Sequence, residues 1–417
     1  MTVVDEAALS SAIAALPGEE PRVVVSGNFA TPHHLLGLVD GALPHWRAFV
    51  LNPQAGWPRR PGLVTETPFI GPGVRDDPTV VYLPMRLSLV PRLFETDRPP
   101  DAVVLHTSLP RHGRVSLGIE VNILPAAVEE VRRRGGLVIA QMNPQMPYTY
   151  GDAELPLEAV DLAIEVDTPL PSPPERPLDD ASLAIGDTVS RYCADGGTLQ
   201  LGIGQLPDAA AHSLRDRRRL GVWTEMLSDG VLALERAGVL DPDRPLISTF
   251  LFGSPDLYRW ADGNDRLRML RTEVVNSPTR IAAQPGMLSI NTALQVDLFA
   301  QANASYVGTR IYSGFGGQPD FVSGALHSPG GHAVIAMRSW HAKSDSSNVV
   351  PLLWSPASSF QHSVVVTEHG AAEIFGRSQP DQASALIEHA AHPRVRDLLR
   401  EAAAELGPAG VHRPGAG

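Results

Sequence analysis

The sequence predicts an α/β protein built from two similar halves. Short β-branched runs alternate with helical stretches in the first half, which is typical of βαβ units and a parallel sheet. A proline-rich run from Thr168 to Asp180 breaks this alternation, which then restarts. The length of 417 residues is also large for a single core. We expect an N-terminal domain over 1–178, a C-terminal domain over 179–406 and a disordered tail over 407–417.

Three apolar runs in the first half have the composition of buried strands, at residues 21–27, 101–107 and 136–143. Between the last two, residues 124–135 (LPAAVEEVRRRG) have the spacing of an amphipathic helix. The proline-rich run is interpreted as an extended linker, because proline can neither continue a helix nor donate within a sheet.

The second half repeats this order of strands and helices. A helix from Leu183 to Ala194 leads to a strand at 198–203, and a glycine turn then leads to a helix whose first residue is Pro207. Further strands are predicted at residues 220–224, 270–276, 304–312, 332–337 and 363–368.

Charge and hydropathy limit the possible partners. The net charge of −12 argues against a nucleic-acid partner, because phosphate neutralisation needs a basic face. The N-terminal residues lack a positively charged leader, and no run reaches the roughly 18 apolar residues of a membrane helix. We therefore expect a soluble cytoplasmic protein.

The counts of two residue types limit the chemistry. Cys193 is the single cysteine, so neither an internal disulfide nor a cysteine-rich zinc site can form, and packing in a helix is expected for it. The histidine spacings do not resemble a zinc site, and we expect no metal. Lys343 is the single lysine among 34 basic residues, so Schiff-base chemistry would depend on it alone.

The run YSGFGGQPDF contains Gly314, Gly316 and Gly317 within four positions. Glycine permits positive φ angles and close approach of the backbone to a ligand. Such a loop can direct amides at a phosphate or at a developing oxyanion, and it is also a common turn.

A second glycine segment, LGIGQLPDA, places Gly202 and Gly204 between a strand and a helix. Helix N-termini bind anions through free amides, although a tight strand–helix turn explains the same residues. A dinucleotide-binding loop would need a third glycine where Leu206 and Pro207 stand, so a nicotinamide cofactor is disfavoured.

Two glutamates follow predicted strands, Glu225 in WTEMLSDG and Glu368 in VVVTEHG. The carboxyl ends of parallel strands are where open α/β sheets gather ligands, and a glutamate there can be a nucleophile or a base. Solvated loop acids are the alternative interpretation. Asn276, predicted to end a strand, is either a turn residue or an amide donor to an oxyanion. Asp297 is expected to orient structure.

The order of seven segments resembles the acetyl-CoA hydrolase/transferase family, which includes family I CoA-transferases such as the 4-hydroxybutyrate and succinyl-CoA:acetate enzymes. The resemblance extends into the first half through VVVSG, HGRVSLGIEV and MNPQMPYTYGD. In chain order, the seven segments are LGIGQLPDA, WTEMLSDGV, VNSP, SINTALQVDL, SGFGGQPDF, AKSDSSNVVP and VVVTEHG.

The resemblance implies two related open α/β domains with the active site between them. It assigns the nucleophile to Glu225 and not to Glu368, and the oxyanion donors to Asn276 and Gly317. It implies CoA transfer between an acyl-CoA and a carboxylate through a glutamyl-CoA thioester, in a homo-oligomer. The CoA contacts that it implies are Gly202, Ile203, Gly204, Ser313, Gly314, Gly316 and Lys343.

Three first-half positions depart from the family pattern, and we expect them to affect the acyl group. Leu109 and Arg111 interrupt a P-x-D-x-H-G form, and Tyr148 replaces a common arginine. An acyl-CoA hydrolase using Glu225 is the main alternative function. A non-catalytic acyl-CoA-binding protein and a nicotinamide-dependent dehydrogenase are less favoured.

Overall fold

The structure is a computed structural model that describes residues 1–174, 177–202, 204–357 and 361–407. Within those ranges, no helix combines the length and apolarity needed to cross a membrane. Apart from Gly407, the expected tail lies outside the described residues, so its disorder stays a prediction.

The first half forms a parallel sheet of eight strands in the order β1-β11-β8-β6-β2-β3-β4-β5. The three strands predicted there are β2, β6 and β8, which are central and buried. The strands of the first half are β1 (Thr2–Val3), β2 (Arg22–Val25), β3 (Trp46–Val50), β4 (Leu63–Thr67), β5 (Val81–Tyr82), β6 (Ala102–Thr107), β7 (Arg114–Ser116), β8 (Leu137–Met142), β9 (Tyr150–Gly151), β10 (Glu154–Pro156) and β11 (Leu162–Glu165).

The helices of the first half include the predicted amphipathic one, α4, which ends at Gly135 in a left-handed conformation. Its apolar face is buried, while three arginines occupy its last turn, where the helix dipole favours positive charge. These helices are α1 (Glu6–Ala14), α2 (His33–Ala42), α3 (Arg92–Glu95) and α4 (Leu124–Arg134).

The second half forms a nine-stranded sheet in the order β28-β27-β23-β18-β12-β13-β15-β17-β9, parallel except between β27 and β28. The larger strands of this half are β12 (Thr198–Gln200), β13 (Gly221–Trp223), β15 (Leu246–Ser248), β17 (Leu267–Met269), β18 (Met287–Asn291), β23 (His332–Ala336), β27 (Val364–Thr367) and β28 (Gly370–Glu373). Its smaller strands are β14 (Met226–Leu227), β16 (Phe250–Leu251), β19 (Gln295–Asp297), β20 (Ala302–Asn303), β21 (Tyr306–Val307), β22 (Arg310–Ile311), β24 (Trp340–His341), β25 (Ser346–Ser347) and β26 (Val349–Val350).

Helix α5 illustrates how the sequence sets a boundary in this half. Asp179 caps it by accepting a hydrogen bond from the Ser182 amide, so it begins earlier than predicted, and it ends before Cys193. The helices of the second half are α5 (Asp180–Ser190), α6 (Gln205–Ser213), α7 (Asp229–Arg236), α8 (Pro255–Ala261), α9 (Thr272–Val275), α10 (Pro278–Ala282), α11 (Gln318–His327), α12 (Gln379–Ala385) and α13 (Arg396–Leu406).

Three predicted elements differ from the structure. The segment 270–276 is not a strand, because the chain leaves the sheet after β17 and forms α9, held at its start by the Thr272 amide donating to the Asn122 carbonyl. The segment 304–312 is the hairpin β21–β22, since Gly308 has a φ of 60° and turns the chain. Helix α6 begins two residues before Pro207, which its first turn tolerates because amides there need no helical partner.

The two halves are joined by a shared sheet and a shared apolar cluster. Strand β9 lies in the first half of the chain but pairs with β17 at the edge of the second sheet. One apolar cluster contains buried residues of both sheets, including Val24, Val103, Leu199 and Val222. The two related α/β halves are confirmed, whereas the boundary between 178 and 179 stays a prediction.

Candidate active site

A pocket of about 320 Å³ lies where the two halves face each other. Its second-half wall contains Glu225, Gly202 and the loop from Ser313 to Gly317, at the carboxyl ends of strands. The first half contributes Asn28, Phe29, Leu51, Asn52, Phe69, Leu87 and Asn122.

Glu225 lies between β13 and β14, at the strand end where it was predicted. The residue is partly accessible through the pocket, but protein atoms surround its carboxylate closely. Burial raises the pKa of Glu225 to about 7, and the nearby Asp320 acts in the same direction. Hydrogen bonds from Asn276 and Gly317 oppose this increase in the pKa.

Asn276 and Gly317 both lie against the Glu225 carboxylate. The Asn276 Nδ2 donates to Glu225 Oε2 at 2.7 Å, and the Gly317 backbone amide also donates to the carboxylate. A Cβ atom on residue 317 would lie 1.7 Å from the same Oε2. Only glycine therefore permits this approach at the start of α11. Gly317 thus lies beside the Glu225 carboxylate, and both residues belong to the second half.

The loop from Ser313 to Gly317 connects the halves at the pocket. The Ile70 amide donates to the Ser313 carbonyl at 2.7 Å, and the Leu87 amide donates to the Gly316 carbonyl at 3.1 Å. A Cβ at Gly314 would lie 2.5 Å from the Pro68 carbonyl oxygen, so glycine is required there too. The close packing explains the density of glycine in this run.

The other predicted CoA contacts are not all in the pocket. Gly202 lines it, whereas Gly204 precedes α6 with a φ of 107° and lies outside the lining. Ile203 lies outside the described residues. Lys343 is exposed in the β24–β25 hairpin and does not line the pocket.

The three first-half departures lie away from the pocket lining, and their expected effect on the acyl group stays a prediction. Arg111 forms an ion pair with Asp262 at 2.9 Å, and the Tyr148 amide donates to the same carboxylate at 2.8 Å. Leu109 packs against the main apolar cluster. Arg111 and Tyr148 thus hold the two halves together.

The alternative polar candidates have structural partners. Glu368 accepts hydrogen bonds from the Ser339 amide and hydroxyl and does not line the pocket. Asp297 is buried and accepts from the Phe299, Gln301 and Leu353 amides, so it orients structure as expected. Burial raises the pKa of the Cys193 thiol to about 11, which disfavours the reactive thiolate.

Sequence reasoning missed Glu120, a fully buried glutamate behind the first-half wall. It accepts hydrogen bonds from Asn28 and Asn122, and Asn28 in turn accepts one from Asn52. We call Asn28, Asn52 and Asn122 the asparagine cluster. Burial raises the pKa of Glu120 to about 7, and the charge of Glu225 contributes to this increase. A glutamate inside an apolar run, SLGIEVNI, was the available signal.

Comparison with known proteins identifies the family. The model of the acetyl-CoA hydrolase/transferase N-terminal domain matches residues 66–173, and that of the C-terminal domain matches 253–403. The 4-hydroxybutyrate coenzyme A transferase of Clostridium kluyveri is 36% identical over 330 residues, which are 76% of each chain. The chain belongs to the acetyl-CoA hydrolase/transferase family. It is an enzyme of the CoA-transferase and acetyl-CoA hydrolase class.

Other proteins are similar to this chain in sequence or in fold. The succinyl-CoA:acetate/propanoyl-CoA:succinate CoA transferase of Fasciola hepatica is 35% identical over 337 residues, 77% of this chain and 69% of the relative. An acetyl-CoA hydrolase of Candida glabrata is 28% identical over 309 residues, 68% of this chain and 58% of the relative. The crystal structure of RipA from Yersinia pestis superposes with a TM-score of 0.87 at 26% identity, covering 97% of this chain and all of that one.

Proposed function

We propose that this family member moves CoA between an acyl-CoA and a free carboxylate, with Glu225 as the covalent carrier. The observation that carries the proposal is the Glu225 carboxylate in the pocket wall, held by Asn276 Nδ2 at 2.7 Å and by the Gly317 amide. A buried carboxylate that lines a cavity and is held by hydrogen bonds is suited to nucleophilic attack on a ligand in that cavity.

The first step is attack by a Glu225 oxygen on the thioester carbonyl carbon. The new carbon–oxygen bond forms as the carbon–sulfur bond breaks, which gives an acyl–glutamyl anhydride and CoA thiolate. The thiolate then attacks the glutamyl carbonyl carbon and releases the acyl group as a carboxylate. Glu225 is left as a glutamyl-CoA thioester, and an acceptor carboxylate reverses the two steps to leave with CoA.

Asn276 and Gly317 have a definite task in the second step. When the thiolate adds to the glutamyl carbonyl, negative charge develops on the glutamyl oxygen. Glu225 Oε2 already accepts from Asn276, and the Gly317 backbone approaches that same atom. Preorganised donors at a developing oxyanion contribute about 3–4 kcal/mol each. We assign both residues to oxyanion stabilisation.

The CoA-binding role is proposed for residues of the pocket lining and for two residues outside it, Gly204 and Lys343. Gly202 and the Ser313–Gly317 loop line the cavity and offer backbone amides, which suit a phosphate-bearing ligand. Gly204 precedes α6 and would act through the amides of that helix start. Lys343 supplies a compact positive charge suited to phosphate.

Trapping of the covalent intermediate tests the proposal. The protein is incubated with acyl-CoA, reduced with borohydride, and analysed by intact and peptide mass spectrometry. In wild type we expect a modification on Glu225 and exchange of CoA into acetate. The Glu225→Gln substitution should abolish both. Glu368→Gln is the matched control, because it changes the other strand-end glutamate outside the pocket.

The possible outcomes separate the functions. Absence of an adduct together with absence of exchange contradicts the proposal. Release of CoA thiol without exchange into any carboxylate indicates the hydrolase, in which water takes the place of the acceptor. Both reactions need Glu225, so the adduct alone does not separate them.

A further inference from the structure

The buried Glu120 carboxylate lies one side chain behind the pocket wall. Glu120 is 1% exposed and forms a β-bridge with Phe250, which lines the pocket. Asn28 Nδ2 donates to both oxygens of Glu120, at 3.1 and 2.9 Å, and Asn122 Nδ2 donates to Oε1 at 2.8 Å. Because both asparagines line the pocket, Glu120 acts on its contents through them.

The two asparagine amides have a fixed orientation. Asn52 Nδ2 donates to Asn28 Oδ1 at 2.9 Å, and Thr249 Oγ1 donates to Asn122 Oδ1 at 3.1 Å. Each amide oxygen is thus engaged elsewhere, and each NH₂ group is left to face Glu120. Both oxygens of Glu120 therefore receive hydrogen bonds from N–H groups. These surroundings favour the ionised carboxylate, which can accept hydrogen bonds but cannot donate one.

The backbone of the asparagine cluster is strained. Asn28, Asn52 and Asn122 have φ angles of 47°, 49° and 35°. A non-glycine residue in the left-handed region is uncommon, and such strain concentrates at functional sites. Two of these residues donate to Glu120 and the third donates to Asn28, which indicates that the fold maintains this arrangement at a cost.

The pocket itself has no counter-cation. Within the part of the chain that the structure describes, arginine, lysine and histidine are absent from the lining, and the charged lining residue is Glu225. Asp320 is a third buried carboxyl group near Glu225. The Ser88 hydroxyl donates to it, and Arg86 Nη1 lies 3.8 Å from its Oδ1. An additional anion in the pocket would therefore meet like charges in a medium of low dielectric constant.

We propose that Glu120 is a positioning residue that sets acyl specificity, restricting the pocket to acyl groups without a second carboxylate. Acyl-CoAs with an uncharged chain are accepted, and those of dicarboxylic acids are poor donors. The inference rests on the proposed function. The single carboxylate of the acceptor is tolerated because Glu225 is then a neutral thioester.

Two donors of equal chain length test this specificity. Butyryl-CoA and succinyl-CoA each carry four carbons and differ in the terminal methyl or carboxylate group. With acetate as acceptor, we expect kcat/KM for wild type to favour butyryl-CoA by at least about 100-fold, since unpaired like charges cost several kcal/mol across an interface. Glu120→Gln should reduce that ratio by about tenfold.

A matched control and a folding check complete the experiment. Glu130→Gln makes the same change at a buried glutamate on α4, which is absent from the pocket lining, and should leave the ratio unchanged. A merely structural role of Glu120 would lower both kcat/KM values in parallel and would not change their ratio. Circular dichroism melting shows whether Glu120→Gln is folded, and if it is not, the wild-type ratio decides.

The outcomes distinguish this inference from the proposed function. A wild-type ratio below about 3, or an unchanged ratio in folded Glu120→Gln, overturns the inference while exchange still supports CoA transfer. Absence of exchange from both donors, with no adduct on Glu225, instead counts against the proposed function.

Discussion

At the residue scale, the pocket keeps two carboxyl groups in surroundings that oppose their ionisation. Burial raises the pKa of both Glu225 and Glu120 to about 7, although amide donors to each carboxylate favour the charged form and oppose the increase. A carboxylate of this kind is more basic than a solvated one and is a stronger nucleophile. Reactivity at Glu225 therefore has a cost in the stability of the fold.

That cost is measurable as a pH-dependent difference in stability. Glu225 has a higher pKa in the folded state than in the unfolded chain, so the native state binds more protons between about pH 4.5 and 7. Stability from this group is therefore lost as the pH rises through that window. We expect the free energy of unfolding of Glu225→Gln at pH 8, measured by denaturant titration, to exceed that of wild type by at most about 3 kcal/mol.

The comparison needs a second pH and a matched substitution. At about pH 4, below that window, the advantage of Glu225→Gln should largely vanish, because the carboxyl group is then mostly protonated in both states of wild type. Glu368→Gln reports any effect of the amide substitution itself. An equal difference at both pH values would show that burial of charge at Glu225 is not its cause.

At the element scale, a helix start and a glycine loop bring backbone to the nucleophile. Helix α11 begins directly after Gly317, so the positive end of its dipole lies near the Glu225 carboxylate. Strand β13 presents that carboxylate from the other side. The distance between them leaves no room for a side chain at residue 317.

The substitution Gly317→Ala tests this contact. Its Cβ would lie 1.7 Å from Glu225 Oε2 and 2.2 Å from Asn276 Nδ2, so one of these groups must move. We expect kcat to fall by about 100-fold or more, the usual effect of losing an oxyanion donor. Gly37→Ala is the control, because a Cβ there meets no atom within 4 Å. Equal activity of the two variants would contradict the assigned role of the Gly317 amide.

The sequence predicts some strands and helices of this fold more accurately than others. Strands such as β6 and β23 were predicted correctly, because parallel strands buried on both faces are continuous apolar runs. Helix α9 was predicted as a strand, because β-branched residues favour strands and a four-residue helix depends on tertiary contacts. The sequence cannot show where a strand leaves its sheet.

The site was predictable to a similar degree. Glu225 and Gly317 stand in motifs that indicate a strand end and a close backbone approach, and both line the pocket. The asparagine cluster was not predicted, because its members are far apart in sequence and meet only through the fold. Their positive φ angles leave no pattern in the sequence beyond the tolerance of asparagine for that region.

At the scale of the whole molecule, the two sheets are joined by more than the pocket. Strand β9 completes the second sheet, and the Arg111–Asp262 ion pair links the same region. Gly151 in β9 has a φ of 102°, and a Cβ there would lie 2.7 Å from the Met269 carbonyl oxygen. This pairing should therefore couple the unfolding of the two halves.

The pair of variants Gly151→Ala and Gly113→Ala tests the coupling. Both glycines have positive φ, but a Cβ at Gly113 meets no atom within 4 Å. We expect both substitutions to lower the free energy of unfolding, because alanine is unfavourable at a positive φ. Gly151→Ala should lower it by about 1–3 kcal/mol more, because its Cβ overpacks the contact with Met269. Calorimetry at matched scan rates should show a lower Tm for Gly151→Ala than for Gly113→Ala. An equal Tm of the two variants would mean that the pairing of β9 contributes little to stability.

The exposed β24–β25 hairpin gives the molecule a chemical handle. Lys343 is the single lysine of the sequence, and every other residue counted with it as basic is arginine. Guanidinium groups do not react with activated esters under conditions that acylate an amine, since arginine stays protonated. A fluorophore ester would therefore attach to one side chain of this enzyme and to the α-amine of the chain, and peptide mapping would distinguish the two sites. The anisotropy of the dye on Lys343 would report the motion of the β24–β25 hairpin. A change in that anisotropy on addition of free coenzyme A would reveal whether the phosphates of coenzyme A reach the hairpin.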